Sequence, residues 1–143
     1  MLTVESWGNA CPVYLKKLHL LQKRTVRFIC KVDYTDPTAM LFKSLRIFTI
    51  YDIYKLRILL LMYKVVNKHV FISVRSEQYC SNKNTRSDKL SKLSLIIPRT
   101  EYGKRSFDYS AAFQWNLLPL ETRNLPSIKL FKIAIFNRIS NER

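Results

Sequence analysis

From Val13 to Lys31 apolar residues recur with helical spacing behind Pro12, and neither Gly nor Pro interrupts the run. At about 100° per residue, Leu15, Leu18, Leu21, Val26, Phe28 and Ile29 gather on one face of the wheel. Lys16, Lys17, Lys23, Arg24, Arg27 and Lys31 fall on an opposing arc covering about a third of it. The spacing predicts a helix that starts at the proline, buries its apolar face and turns its cations outward. A solvated face usually mixes signs; an unbroken basic arc favours a surface that meets phosphates. Next, Asp36-Pro37 predicts a short helix with Asp36 as N-cap, Pro37 at the first helical position, and Leu41, Phe42 and Leu45 pointing inward. Thr49 and Asp52 form a start that resembles a capping box. The helix they open, running to about Asn67, is apolar nearly all round: Ile50, Ile53, Tyr54, Leu56, Leu59, Leu60, Leu61, Met62, Val65 and Val66. Such a helix belongs in the middle of a bundle or under a partner.

From Lys68 through Ser94 the chain turns polar, and Ser81-Asn82-Lys83-Asn84-Thr85-Arg86-Ser87-Asp88-Lys89 reads as linker. Leu93 to Ile97, closed by Pro98, is a candidate short extended segment. Beyond Gly103, the stretch Ser106 to Leu118 carries Phe107, Tyr109, Phe113 and Trp115 and stops at Pro119; Phe113 and Trp115, at helical spacing, are expected to pack inward. Ser127 caps a last helix with Ile128, Phe131, Ile135 and Ile139 on its buried edge. The expected fold is mainly α, a small helical bundle in two lobes: residues 1–67, a polar basic linker 68–97, and an aromatic-rich lobe 98–143.

Composition sharpens this picture. The chain has 143 residues, enough for one domain or two small subdomains. Its 25 Lys and Arg against 10 Asp and Glu leave a net charge of +15 at pH 7, and the excess runs the whole length. A hydrophobic content of 48% excludes a disordered basic tail. The charge points to a polyanionic partner, nucleic acid or an anionic membrane surface. Cys11, Cys30 and Cys80 show no metal-ligand spacing and read as free thiols of a reducing compartment. The most apolar run, Ile58 to Tyr63, is far short of the roughly 20 residues that span a bilayer, and the N-terminus lacks the order of a signal peptide. An intracellular protein, nuclear or cytoplasmic, with no membrane partner is expected.

Candidate chemistry is sparse. The acids are scattered, with no paired carboxylates to hold catalytic metal. His19 and His69 lie in helical sequence without a nucleophile motif and read as surface or helix-terminal residues. With Gly8 and Gly103 the only glycines, no phosphate-cradling loop can be built. No catalytic residue, metal site or cofactor is assigned, and catalysis by this chain alone is not expected. What remains is a basic surface with aromatics in it: Arg99, Lys104 and Arg105 flank Tyr102 and precede Phe107. Such a mixture suits single-stranded or irregular nucleic acid.

Several segments, in order, resemble a known family. They are Trp7-Gly8-Asn9; Leu15-x-x-Leu18-x-x-Leu21-Gln22-Lys23-Arg24-x-Val26-Arg27; Leu41-Phe42-Lys43-x-Leu45; Asp52-Ile53-Tyr54-Lys55-Leu56; Asn84-Thr85-Arg86; and Pro98-Arg99-Thr100. Then come Gly103-Lys104-Arg105-Ser106-Phe107-x-Tyr109-Ser110, Trp115-Asn116-x-Leu118-Pro119 and Leu130-Phe131-Lys132. Together they resemble the region after the polymerase palm, the thumb and beyond, of jockey-like non-LTR (LINE-type) retrotransposon reverse transcriptases. The likeness covers nearly the whole chain. Ser110-Ala111-Ala112 departs from it where many relatives carry a Gly, which bears on local helix packing.

The resemblance implies a C-terminal fragment of an RNA-directed DNA polymerase that lacks the palm and its Mg2+-binding aspartates, as a truncated element would leave. It implies RNA and DNA of template-primer type as partners, and the missing polymerase core as another. The residues expected to bind nucleic acid, without sequence preference, are Lys16, Lys17, Lys23, Arg24, Arg27, Arg86, Arg99, Lys104 and Arg105. The alternative is a non-catalytic remnant or protein-interaction module whose apolar Ile50 to Val66 helix needs a partner to cover it.

Overall fold

The computed structural model of the chain describes residues 8, 10–69, 92–95 and 97–141, and among these every regular element is a helix. In order they are α1 (Pro12–Cys30), α2 (Thr38–Ser44), α3 (Ile50–Val66), α4 (Glu101–Lys104), α5 (Phe107–Asn116), α6 (Leu120–Arg123) and α7 (Ile128–Asn141). The mainly helical fold read from the periodicity is the fold observed. Most of the expected linker, Arg86 and Cys80 included, lies outside the described residues. The chain divides into two units, one running to Tyr54 and the other from Lys55 to Glu142, so the boundary falls inside α3.

In the first unit, α1 begins with Pro12 in its first turn, where a missing N–H costs nothing. The turn into α2 differs from expectation. The Asp36 carboxylate accepts from the Asp33 N–H at 3.1 Å instead of capping α2, whose N-cap is Pro37 with no side-chain bond. Phe42 is buried, Leu41 half-buried and Leu45 exposed, because so short a helix presents little more than one inward turn. The start of α3 follows the pattern: Thr49 Oγ1 accepts from the Asp52 N–H at 3.3 Å while Asp52 Oδ2 accepts from the Thr49 N–H at 3.2 Å, the reciprocal bonds of a capping box.

Three helix ends share one device. Lys31, Arg46 and Lys68 have φ of 52°, 53° and 57°, the left-handed conformation that usually calls for Gly. Each closes a Schellman motif, with Val32 N–H donating to Arg27 O, Ile47 to Phe42 O and His69 to Lys64 O. A chain with 2 glycines stops these helices with basic residues instead, accepting the Cβ strain while placing a cation at the negative end of the helix dipole.

The second unit holds the densest core. Ile58, Leu59, Met62 and Tyr63 of α3 are buried there, as are Ala111, Ala112 and Trp115 of α5, and Phe131, Ile135 and Ile139 of α7. The Phe131 ring lies 4.6 Å from that of Tyr63 and 5.7 Å from that of Trp115. The Tyr63 hydroxyl donates to Leu125 O at 2.7 Å, satisfying its polar end inside the core. Serines set the register of the last elements: Ser106 caps α5 by accepting from the Tyr109 N–H, and Ser127 Oγ accepts from the Lys129 N–H at the start of α7. The expected buried edge of α7 is present, with Ile128 half-buried at its entry. Trp115 packs inward as expected, but Phe113 is 41% exposed, its ring stacked against Tyr109. Residues 92–95 form no strand; the Asn116 side chain instead accepts from Leu93 N–H at 2.8 Å and donates to Leu93 O at 2.9 Å, standing in for a strand partner.

Candidate nucleic-acid interface

Helix α1 does not bury the face that its apolar spacing predicts. Val26 is its one buried residue, while Leu18, Leu21, Phe28 and Ile29 are exposed, Phe28 at 85%. The partly covered residues are Leu15, His19, Gln22, Lys23, Arg27 and Cys30, so the contact stripe is turned by roughly 100° toward the basic arc. Polar side chains select that stripe. Gln22 donates to Phe48 O at 2.8 Å and accepts from Ile50 N–H at 3.0 Å, tying the middle of α1 to the start of α3. Arg27 donates from both Nε and Nη2 to Asp36 O, at 3.0 and 2.9 Å, and holds the turn before α2.

His19 completes the contact. Its ring lies 5.2 Å from Tyr51 and 6.2 Å from Phe42, and Nδ1 is buried with no hydrogen-bond partner. Burial, followed by the charge of Lys23, holds its pKa below the ordinary histidine value. It is therefore a packing histidine of α1. His69 is exposed just past α3.

Rotation of α1 divides its cations into two groups. Lys16, Lys17 and Arg24 are exposed, and among the described residues no carboxylate pairs with them. Lys23 and Arg27 are half-buried, and Arg27 is committed to Asp36. In the second unit Arg99 is exposed at the approach to α4, which Thr100 caps through the Gly103 N–H. Lys104 is paired with Glu101, and that pairing raises the lysine pKa and lowers that of the carboxyl. Arg105 lies over the exposed Tyr102 ring at 5.5 Å. Arg86 is outside the described residues. Of the cations expected to bind nucleic acid, Lys16, Lys17 and Arg24 in one unit and Arg99 in the other are exposed with no carboxylate paired to them among the described residues, and Arg105 is partly covered.

Sequence reasoning missed one charged residue. Arg123 at the end of α6 is 6% exposed, and its Nε and Nη1 have no acceptor. Burial alone pushes its pKa down. The only sequence signal is its place four residues after Pro119, in a segment that otherwise reads as a connection.

Among the described residues no group of His, Cys, Asp and Glu is gathered to hold a metal, and no helix is long and apolar enough to cross a membrane. No family model, curated protein or solved structure matches the chain.

Proposed function

We propose that this chain binds nucleic acid without sequence preference, as a piece of a reverse-transcriptase-like polypeptide of the non-LTR retrotransposon kind. The carrying observation is α1: Lys16, Lys17 and Arg24 stand exposed along a helix that contains no acid. A duplex or a single strand presents phosphates at regular intervals, and each one neutralised by a lysine or arginine releases a condensed counterion. The net charge of +15 adds long-range attraction to any polyanion. Arg99 and Arg105 supply the same chemistry in the second unit.

The test is equilibrium binding to labelled RNA, DNA and an RNA–DNA hybrid over a salt series. Reversal of Lys16, Lys17 and Arg24 to Glu is expected to weaken binding and to flatten the salt slope by about 0.7–0.9 for each phosphate no longer neutralised. These positions serve better than Lys23 and Arg27, whose side chains pack within the first unit. An unchanged slope overturns the α1 surface.

A second reading, an interaction module without nucleic-acid function, draws on a different feature: Tyr14, Leu18, Leu21, Phe28 and Ile29 form an exposed apolar arc on α1. The apolar surface for such a partner is on α1 and not on α3, whose Ile58, Leu59, Met62 and Tyr63 are buried within the second unit. Self-association in light scattering, with no salt-dependent binding to any nucleic acid, is the outcome that favours this reading.

A further inference from the structure

Three tyrosines stand well clear of the surface: Tyr14 is 63% exposed, Tyr34 69% and Tyr102 80%. Each has a cation over its ring. Lys17 Nζ lies 5.9 Å from the Tyr14 centroid, the Arg27 guanidinium carbon 5.3 Å from that of Tyr34, and the Arg105 guanidinium carbon 5.5 Å from that of Tyr102. Two of these pairs belong to the first unit and one to the second, and each is complete within its own unit.

A ring with a cation on one face and solvent on the other has particular chemistry. The cation restricts the tilt of the ring, so less side-chain freedom is lost when a flat ligand settles on the open face. It also places positive charge beside that ligand. At Tyr34 the bracing is strongest, because Arg27 is itself fixed by two bonds to Asp36 O. Arg27 therefore acts there as a support for the ring.

An unpaired nucleotide is the ligand that matches, because it offers a flat, weakly polar base face next to a phosphate. A duplex offers the phosphate and hides the base faces in its stack, so it can use the lysines and arginines but not the rings. We infer that Tyr14, Tyr34 and Tyr102 are stacking platforms for unpaired bases, and that the chain prefers single-stranded RNA or DNA to duplex. This rests on the nucleic-acid reading above and specifies which form of nucleic acid that surface takes.

The experiment measures binding of the full chain to oligo(rA), oligo(dA) and a duplex of equal length by fluorescence anisotropy over a KCl series. Wild type is expected to bind the single strands about tenfold or more tighter than the duplex at one salt concentration. Tyr34→Ala and Tyr102→Ala should each weaken single-strand binding by about 5-fold or more, the scale of one base stack removed. Both should leave duplex affinity and salt slope unchanged, because every cation that meets a phosphate is still in place. Tyr34→Phe and Tyr102→Phe keep the ring and should bind as wild type. These side chains are exposed, so circular dichroism of the variants should match the parent.

A difference between oligo(rA) and oligo(dA) would show whether the 2′-hydroxyl is read. Equal affinity for single strand and duplex, or alanine variants that bind single strands within about twofold of wild type, overturns the platforms. The charge reading survives that result if the Lys16, Lys17 and Arg24 reversal still flattens the slope. Absence of binding to all the probes overturns both.

Discussion

Helix α1 separates its apolar and basic residues onto distinct arcs, yet Val26 is the one residue it buries, whereas α3, apolar nearly all round, buries Ile58, Leu59, Met62 and Tyr63. The two helices are held by different forces. In the second unit, aromatic rings close on α3: Tyr63, Phe131 and Trp115 form a chain of ring contacts, and apolar area removed from water dominates. In the first unit, α1 is fixed by the Gln22 amide, the Arg27 fork and the His19 ring, and its apolar arc remains in solvent. Amphipathic spacing shows that a helix has an apolar face; it does not show that this face is the one placed against the rest of the chain.

The sharpest way to break this contrast is to truncate rings. Phe131→Ala or Trp115→Ala is expected to cost about 3–5 kcal/mol in denaturant unfolding. Phe28→Ala, on the outer arc of α1, should stay within about 0.5 kcal/mol. Comparable losses at both sites would mean that the outer arc of α1 is covered in solution.

A smaller effect is expected from the polar pin of α1. Gln22→Ala removes the donor to Phe48 O and the acceptor from Ile50 N–H in a part-buried place, a loss of about 1–3 kcal/mol. The check is hydrogen exchange, in which faster exchange should centre on the Ile50 amide and α1. If α1 exchanges as in wild type, the amide is not what holds it.

In the second unit the same logic runs in reverse at Arg123, a buried charge without an acceptor on Nε or Nη1. Arg123→Met keeps much of the volume and removes the unpaired charge, so it should raise stability by about 1–2 kcal/mol in a thermal melt. A lower melting temperature would show that the guanidinium has a stabilising partner. Lys31→Gly tests the glycine-free helix ends: relief of the Cβ strain at φ 52° should add about 0.5–1 kcal/mol.

The smallest effect is a pH dependence confined to the first unit. The folded-state pKa of His19 is lowered, so below the ordinary value of 6.5 the unfolded chain binds the proton more readily than the folded one. Stability contributed by neutral His19 is therefore full above that value and is lost as pH falls through the window between it and the lowered folded pKa. His19→Phe should remove that part of the acid sensitivity, read as a flatter curve of melting temperature against pH. A curve unchanged by the substitution would place His19 in solvent.

Much of the helical order was legible because it is local. The Thr49–Asp52 box, Ser106 and Ser127 start helices through side-chain bonds within one turn, Pro12 starts α1 through its fixed φ, and these positions mark the observed starts. The ends were less legible, because Lys31, Arg46 and Lys68 occupy left-handed positions where glycine is the usual residue. Asp36 misled because its carboxylate accepts from the Asp33 N–H, in the turn before α2, and not from the helix. In the candidate interface, residue type marked the cations, but their availability depended on distant groups. Arg27 is committed to Asp36 O and Lys104 to Glu101, while Lys16, Lys17 and Arg24 remain exposed.

The sequence by itself determined that the chain is helical and basic, and where most helices begin, because charge is additive and caps act over three or four residues. Tertiary structure alone decided which arc of α1 faces inward, that Phe113 lies exposed while Trp115 is buried, that Asn116 pairs with Leu93, and that Arg123 is enclosed. Each depends on which surfaces meet across long stretches of chain, and a hydrogen bond such as that of Gln22 to Phe48, 26 residues away, leaves no periodic trace in the sequence.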